Sequence, residues 1–296
     1  MATKRSWRRV DGVLLLDKPA GMTSNSALQL ARRLFSAAKA GHTGTLDPLA
    51  TGLLPVCFGD ATKFSADLLE ADKTYEADLL FGVTTDTGDA EGVVLERRPV
   101  LFGLRELETV LSRFRGAISQ IPPMYSALKR DGKPLYELAR QGIEVARAAR
   151  QVTIHELQLL EAEGDRCRLR VTCSKGTYIR TLAEDIGAAL GCGAHLTALR
   201  RTAVRTLQIA DAVTLDHLIS LSEEARERCL QAPDALLQTL PAVHLDQAAA
   251  ERFSHGNPVT ASVPEGRCRV YADDRLLGLG EADMAGNVQP RRLVCS

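Results

Sequence analysis

Two stretches that alternate apolar and polar side chains constrain the fold more than any other feature of the sequence. In the first, apolar side chains recur at Tyr75, Ala77, Leu79 and Phe81, with acidic residues among those between them. In residues 167–173, apolar positions alternate with two arginines and a threonine. Because successive side chains of a β-strand point to opposite faces, both stretches are predicted to be strands with one buried and one solvated face.

Helical periodicity occurs in the same chain. Residues 27–35 carry apolar side chains at helical spacing, and Thr23, Ser24 or Ser26 can cap the N-terminus of this helix. A second apolar stripe runs through 179–190, directly after a turn. Strands and helices are therefore both expected.

Length and composition indicate two unequal domains. A chain of 296 residues is long enough for one large domain with a small appendage. Residues 242–295 hold only short apolar runs separated by glycines, which predicts a small strand-rich module.

A cytoplasmic location without membrane attachment is expected. The apolar run Val13 to Leu16, interpreted as a short buried strand, is far too short for a signal peptide. No apolar stretch approaches the roughly 18 residues of a membrane span. The seven cysteines form no Cys-x-x-Cys pair, so reduced thiols are expected.

Net charge is zero, but the charge is unevenly distributed along the chain. Residues 1–66, 67–120, 121–215 and 216–296 carry net charges of +5, −5, +4 and −4. Basic segments that converge on one face would suit nucleic acid, but four blocks can also alternate by chance. Charge alone does not decide the class of partner.

A segment rich in glycine and proline surrounds Asp47. Residues 41–59 (GHTGTLDPLATGLLPVCFG) are punctuated too often for a long regular element to be expected. An Asp-Pro pair is usually turn chemistry, in which the carboxylate bonds its own backbone. Three threonines nearby supply hydroxyls, and the glycines let a ligand or another backbone come close. Asp47 is therefore a candidate functional carboxylate.

Generic cofactor motifs are absent from the sequence. It contains no Gly-x-x-x-x-Gly-Lys phosphate loop, no strand-linked Gly-x-Gly-x-x-Gly and no clustered His/Cys spacing for a metal. No cofactor and no metal are expected.

The run GHTGTLDPLATGLLP resembles the catalytic motif of the TruB family of tRNA pseudouridine synthases, in which the aspartate matching Asp47 is essential. Further segments resemble other motifs of the family and stand in the family's order, at residues 12–19, 73–75, 122–129, 174–180 and 199–202. Six matches in the family's order over residues 12–202 are not expected by chance.

The resemblance implies an α+β fold. Its core would be the pseudouridine synthase core, a mixed, largely antiparallel sheet with flanking helices, over residues 1–240. An excursion at about 128–150 would form a thumb-like RNA-binding lid. Residues 241–296 would form a small β-rich, PUA-like RNA-binding domain.

The resemblance also implies isomerisation of uridine 55 in the T loop of tRNA, after the base is flipped out of the RNA. Asp47 would be the essential carboxylate, acting on the ribose, on the base or on the ribose 2′ proton. Tyr75 would stack on the base and is a candidate acceptor of the proton from carbon 5. Arg180 would pair with Asp47 and lower its pKa by about 1 to 3 units.

Six further residues are predicted to bind the substrate. His42 would fill the gap left by the flipped base. Tyr178 and Leu199 would line the pocket. The remaining three are lysines with a phosphate or a structural role, namely Lys18, Lys63 and Lys129.

The expected partner is the T stem-loop of tRNA, bound by a monomer without guide RNA. One alternative is an RNA-binding or tRNA-folding protein in which catalysis is secondary, and a folding role can also accompany the enzyme. Another is a synthase subunit that takes its target from a guide RNA and partner proteins. The long excursion and self-contained chain favour the stand-alone enzyme.

Overall fold

The computed structural model describes residues 6–126, 128–130 and 132–294. Its strands are β1 (Gly12–Lys18), β2 (Ala40–His42), β3 (Thr51–Phe58), β4 (Lys73–Phe81), β5 (Val83–Thr85), β6 (Val94–Arg97), β7 (Gly116–Gln120), β8 (Lys129–Arg130), β9 (Lys133–Pro134), β10 (Arg150–Glu163), β11 (Arg166–Cys173), β12 (Ala194–Val204), β13 (Leu207–Gln208), β14 (Val213–Thr214), β15 (Leu230–Gln231), β16 (Ala242–Leu245), β17 (Val259–Thr260), β18 (Gly266–Ala272), β19 (Arg275–Ala282) and β20 (Asn287–Leu293).

The α-helices are α1 (Ser24–Leu34), α2 (Ser65–Leu69), α3 (Leu104–Arg113), α4 (Leu135–Arg140), α5 (Ile179–Ala189), α6 (Leu215–Ser220), α7 (Glu223–Glu227) and α8 (Gln247–Ser254). Short 3₁₀ helices occupy Gly59–Lys63, Ile209–Asp211 and Pro233–Leu237. Within the described residues, no helix is both long and apolar enough to cross a membrane.

A large sheet forms the centre of the molecule. Its strand order is β14-β1-β3-β12-β4-β11-β10-β7, with β2, β13 and β15 attached beside β3, β12 and β1. Among the described strands of this sheet, only the β1–β14 and β3–β12 pairs are parallel. Apolar faces of α1, α3 and α5 contribute to one hydrophobic core with this sheet. The predicted α+β class, with a mixed and largely antiparallel sheet, is confirmed.

The two alternating stretches are neighbouring strands. Strand β4 pairs with β11 in antiparallel register, which sets Asp78 opposite Arg168 and Glu76 opposite Arg170. The ion pairs measure 2.7 Å for Arg168 to Asp78 and 3.1 Å for Arg170 to Glu76. Such cross-strand pairs contribute about 0.2–1 kcal/mol each. The acidic face of one strand therefore fixes its register against the basic face of the next.

One expectation about residues 41–59 is wrong. The second half of this segment is β3, an eight-residue strand that is almost completely buried between β1 and β12. Proline within a strand removes a hydrogen-bond donor. On the side of β3 that faces β2, the backbone hydrogen bond at Pro55 needs only its carbonyl, which accepts from the N–H of Thr43 at 3.1 Å. The strand therefore tolerates its proline.

The C-terminal residues form a second sheet with its own core. The strand order is β16-β18-β19-β20-β17. Its buried side chains include Val243, Phe253, Val270 and Val288. The predicted β-rich C-terminal part is confirmed.

Candidate active site

Asp47 lies in the loop of residues 43–50, which connects β2 to β3. Ser24, in the first turn of α1, anchors this loop twice. Its hydroxyl donates to the Leu46 carbonyl at 3.0 Å and accepts from the Leu46 N–H at 2.8 Å. Ser24 is itself 1% exposed, so both bonds are protected from water. The position of Asp47 is thereby fixed by its neighbour in sequence.

Gly52 allows the beginning of β3 to lie against β12. Its φ of +101° is in the region that favours glycine. A β-carbon there would lie 2.3 Å from the carbonyl oxygen of Arg201, which is closer than atoms can approach. Any other residue at position 52 would therefore push the loop of Asp47 away from β12.

Arg180 connects the loop to the first turn of α5. Its Nη2 lies 3.0 Å from Asp47 Oδ2, and its Nη1 lies 3.5 Å from Asp89 Oδ2. Two carbonyls also accept from it, that of Thr87 at 2.9 Å and that of Tyr125 at 2.6 Å. The side chain is 6% exposed. A buried cation at the positive end of a helix is unfavourable alone, and these two carboxylates offset that cost.

The pKa of Asp47 is shifted in the direction opposite to the expected one. Burial raises it above its ordinary value, and Arg180 opposes that rise without cancelling it. Asp89 raises it further, since two nearby carboxylates disfavour each other's ionised form. Although 43% of the Asp47 side chain is exposed, the protein atoms packed around it have the largest effect on its pKa. Arg180 therefore orients the carboxylate and lowers its pKa, but not below the ordinary value of an aspartate.

A small pocket opens beside Asp47. Its volume is about 180 Å³, and the predicted site residues that line it are Asp47, Tyr75, Tyr178, Arg180 and Leu199. Pockets for drug-sized ligands measure roughly 300–1,000 Å³, so this one suits a single base. Five side chains that are dispersed over the sequence thus meet at one place.

Gln120 holds the pocket wall at Tyr178. At the end of β7, its amide accepts from the Tyr178 N–H at 3.1 Å and donates to the Tyr178 carbonyl at 3.3 Å. Gln120 is 2% exposed. Because Tyr178 is the N-cap residue of α5, these two bonds also fix the start of the helix that carries Arg180.

His42 lies at the end of β2 and is not among the side chains that line the pocket. Burial lowers its pKa, and the charge of Arg201 lowers it further. The ring is therefore neutral at neutral pH. Its buried Nδ1 has no hydrogen-bond partner among the described residues. Its role as the residue that replaces the flipped base stays a prediction.

Lys18 is predicted to contact phosphate or to have a structural role. The residue is fully buried at 0% exposure, and its ammonium donates to the carbonyls of Pro19 at 2.8 Å, Met22 at 2.5 Å and Pro48 at 3.4 Å. Burial lowers its pKa to about 8, against the opposing charge of Asp47. These bonds tie the end of β1 to the residue after Asp47 and favour the structural role, and a phosphate contact stays a prediction.

We expect Lys18→Met to lower the free energy of unfolding by about 1–3 kcal/mol, because buried carbonyls lose their charged donor. The Kd for the RNA that the family resemblance implies should change less than about twofold, since the ammonium is enclosed by three carbonyls. Urea titration and filter binding measure the two quantities, with exposed Lys39→Met as control. A tenfold weaker Kd at unchanged stability would support a direct contact between Lys18 and phosphate.

Lys63 is not among the residues that line the pocket. It forms an ion pair with Asp60 at 2.8 Å and donates to the Leu293 carbonyl at 2.9 Å, which connects the 3₁₀ helix after β3 to the end of β20. The side chain of Lys129 lies outside what the structure describes. Neither observation tests a contact with RNA.

Three residues that sequence reasoning missed contribute to the site. They are Asp89, which is the second carboxylate on Arg180, Gln120 beneath Tyr178, and Arg201 beside Tyr75. Asp89 lies in an acidic loop without periodicity, and a lone glutamine carries no signal. Arg201 belongs to a segment that matched a family motif, so that match was the available signal.

The Asp89 carboxylate should contribute to the pH below which activity is lost. If the reaction needs ionised Asp47, its rate falls as pH decreases through the raised pKa of Asp47. Asp89→Asn removes one cause of that rise, so the acid limb should move to lower pH. Single-turnover rates between pH 4.5 and 8 measure the shift. A limb that stays in place or moves to higher pH would contradict the assigned coupling.

Family models match the chain almost throughout. Residues 32–179 match the N-terminal domain of TruB family pseudouridylate synthases. Residues 180–241 match the tRNA pseudouridylate synthase B C-terminal domain, and 241–294 match the C-terminal part of pseudouridine synthase II TruB.

Similar proteins of known name span nearly the same length. The tRNA pseudouridine synthase B of Dechloromonas aromatica (strain RCB) is 63% identical over 99% of this chain and 99% of its own. The protein of that name from Azoarcus sp. (strain BH72) is 57% identical over 100% and 99%.

Two solved structures share the fold. A chain in the H/ACA RNP bound to a substrate RNA containing 2′-deoxyuridine is 25% identical, with a TM-score of 0.75 over 96% of this chain and 85% of that one. A chain in a Cbf5-Nop10-Gar1 complex is 27% identical, with a TM-score of 0.72 over 95% and 84%.

Proposed function

The chain belongs to the TruB family of pseudouridine synthases, and we propose that its site around Asp47 acts on uridine 55 in the T loop of tRNA. It is an isomerase that converts uridine to pseudouridine in tRNA. One contact carries the assignment of the site. The 3.0 Å ion pair between Arg180 and Asp47 lies at a base-sized pocket walled by Tyr75.

The isomerisation needs few chemical groups. The bond between ribose carbon 1 and base nitrogen 1 breaks, the base turns, and carbon 5 bonds to the ribose instead. Carbon 5 then loses its proton while nitrogen 1 gains one, so atoms and electrons balance without a cofactor. The protein must supply a carboxylate, a proton acceptor and a pocket that keeps the free base.

Asp47 supplies the carboxylate. Three routes fit its place at the mouth of the pocket, namely attack on ribose carbon 1, attack on base carbon 6, and removal of the ribose 2′ proton. Each route needs the ionised form, which Arg180 orients. The arginine would also hold the carboxylate in the same direction throughout the reaction.

The pocket receives a base that has left the RNA stack. Tyr75 is half-buried in β4, and its ring lines the pocket beside Leu199 and Tyr178. Stacking on an aromatic face compensates the few kcal/mol that unstacking costs. Tyr75 is also the proposed acceptor of the carbon 5 proton, and His42 would occupy the vacated place in the T loop.

The chain is proposed to divide its work between two domains. Residues 1–240 would form the catalytic domain, and 241–296 the PUA-like RNA-binding domain. The excursion at about 128–150 contains α4 and the β8–β9 pair, and it would close on the T arm as a lid. Recognition would depend on the folded shape of the T arm and on phosphate contacts.

We propose a monomeric cytoplasmic enzyme that needs no guide RNA. Support comes from the 57–63% identity to proteins named tRNA pseudouridine synthase B, against 25–27% to chains in H/ACA and Cbf5 complexes. Binding that reshapes the T loop would also let the protein assist tRNA folding. That second activity accompanies the catalytic one.

Mapping of pseudouridine in an unmodified tRNA transcript tests the target. After incubation with purified protein, carbodiimide treatment and primer extension should give one new stop, at uridine 55. A transcript with cytidine at position 55 is the matched control and should give none. New stops elsewhere, or a stop only after a guide RNA is added, would overturn the proposed target or mode.

A further inference from the structure

Arg201 is the largest fully buried side chain in the described part of the molecule, at 1% exposure. Its Nε donates to the Leu53 carbonyl at 2.7 Å, and its Nη2 donates to the Gly44 carbonyl at 3.0 Å. Gly44 belongs to the loop of Asp47. A buried guanidinium is costly unless its charge is compensated. Among the described residues, Arg201 forms no ion pair with a carboxylate; two carbonyls accept from it, and Tyr75 is the nearby group that favours its charged form.

Tyr75 and Arg201 are direct partners across the sheet. The antiparallel pairing of β4 with β12 sets Arg201 opposite Tyr75. Directly opposed residues of an antiparallel pair have β-carbons about 4.5–5.5 Å apart, so the two side chains are neighbours on one face of the sheet. One arginine thus contacts the loop of the proposed carboxylate through Gly44 and lies beside the proposed proton acceptor.

The proton transfer requires a particular form of Tyr75. A neutral phenol is a poor acceptor for a proton from carbon, whereas a phenolate accepts it and becomes phenol. The electrons of the C5–H bond then restore the carbon 5 to carbon 6 double bond, and nitrogen 1 takes a proton from solvent. Burial raises the pKa of Tyr75 and makes the phenolate scarce, and the charge of Arg201 opposes that rise.

We infer that Arg201 is a positioning residue that holds the Tyr75 phenol against the loop of Asp47 and stabilises the phenolate that takes the carbon 5 proton. This inference rests on the proposed function of the site. A merely structural arginine would hold the loop equally well, but it would leave the acidity of Tyr75 unchanged. The acidity of that phenol therefore separates the two roles.

Other ionisable groups around Tyr75 and Arg201 must be considered in any titration. Cys173 on β11 and Asp47 both raise the pKa of Tyr75, although Cys173 itself has a pKa of about 12. Lys73 at the start of β4 has a pKa lowered to about 8, and His42 also interacts with Arg201. Because Arg201 lowers the pKa of Lys73 and of His42, replacing it lets both protonate more readily, which would partly offset the rise in the Tyr75 pKa.

Fluorine NMR of the protein with 3-fluorotyrosine at position 75 tests the inference without RNA. The fluorophenol should titrate at higher pH in Arg201→Gln and Arg201→Met than in the wild type, by about 1 to 3 units, the usual effect of an adjacent charge. Arg201→Lys should give a smaller rise, since an ammonium lacks the planar fork that reaches both partners. If neither neutral variant folds, a fluorophenol that titrates at higher pH in Arg201→Lys supports the inference, and an unchanged titration contradicts it.

Arg200→Gln is the matched control. Arg200 lies on the same strand, is 41% exposed and pairs with Asp17 at 2.6 Å. This variant removes the same charge from the neighbouring position and should leave the fluorophenol titration unchanged.

Single-turnover rates supply the second measurement. At pH 7 the neutral variants should form pseudouridine about 10- to 1,000-fold more slowly, one factor of ten for each unit by which the phenol becomes weaker. The deficit should stay nearly constant at every pH below the raised pKa of Tyr75, while the tRNA Kd stays within about threefold. No deficit in a folded neutral variant, or a deficit with an unchanged fluorophenol titration, would indicate a structural role.

Unchanged fluorophenol titration in a folded Arg201 variant would overturn the inference. A wild-type protein that forms no pseudouridine would instead overturn the proposed function, and the NMR titration would still measure the coupling between Arg201 and Tyr75. The two failures are therefore distinguishable.

Discussion

Asp47→Asn is expected to abolish pseudouridine formation, with a loss on the order of 10⁴-fold or more in single-turnover rate, as for other removed nucleophiles. An amide has nearly the same shape as the carboxylate but neither attacks carbon nor accepts a proton. The fold should persist because the loop is held by Ser24 and Lys18 and not by Asp47. The tRNA Kd should stay within about fivefold.

The control for this variant is Asp72→Asn. Asp72 is 54% exposed and lies near His155 at 3.3 Å, away from the pocket. It should keep full activity. Equal rates for wild type and Asp47→Asn would remove the proposed role of Asp47, whatever the fold. A lost rate together with lost tRNA binding would point to a role in binding alone.

Arg180→Lys is expected to lower the single-turnover rate by at least about 10²-fold, the size of effect that small misplacements of catalytic groups cause. Lysine keeps the positive charge but cannot contact Asp47, Asp89 and two carbonyls at once. The Asp47 carboxylate would lose its fixed direction. Rapid-quench assays at saturating enzyme separate this loss from any change in binding.

Arg168→Lys provides the comparison for Arg180→Lys. Arg168 pairs with Asp78 at 2.7 Å on the solvated side of β11 and is 43% exposed. Exposed pairs contribute about 0–1 kcal/mol, so its replacement should leave both rate and stability nearly unchanged. If Arg180→Lys had no more effect than Arg168→Lys, the geometry of the guanidinium would be irrelevant to the reaction.

Local periodicity predicted some of the elements that position the site. The alternation in residues 75–81 predicted β4, and one of the three candidate caps of α1, Thr23, is its N-cap and accepts from the Ser26 N–H. The ion pair of Arg180 with Asp47, which the family resemblance implies, is also present. The two elements depend on residues that are near in sequence, whereas the ion pair joins residues that are far apart in the chain.

Burial of polar residues could not be predicted in the same way. Lysine is usually a surface residue, yet two carbonyls from the turn after β1 and one from the loop of Asp47 enclose the Lys18 ammonium. The pKa of Asp47 depends on the crowding of protein atoms and on Asp89, which is 42 positions away in sequence. Such effects come from tertiary contacts, and no local pattern encodes them.

Pro55 shows the same limit for secondary structure. A proline ordinarily argues against a central strand, and the dense glycines before it strengthened that argument. Strand β3 nevertheless forms because it pairs with β1 along nearly its whole length and with β2 near its end. The long-range pairing therefore outweighs the local preference.

Tritium release from a tRNA transcript labelled at carbon 5 of its uridines tests the central claim most directly. Purified protein, with EDTA and without any guide RNA, should release about one equivalent of tritium per tRNA, because one uridine exchanges its carbon 5 proton for a bond to ribose. Changing uridine 55 to cytidine should abolish the release. No release from the unaltered transcript, with tight tRNA binding intact, would contradict the claim that this site is a stand-alone synthase.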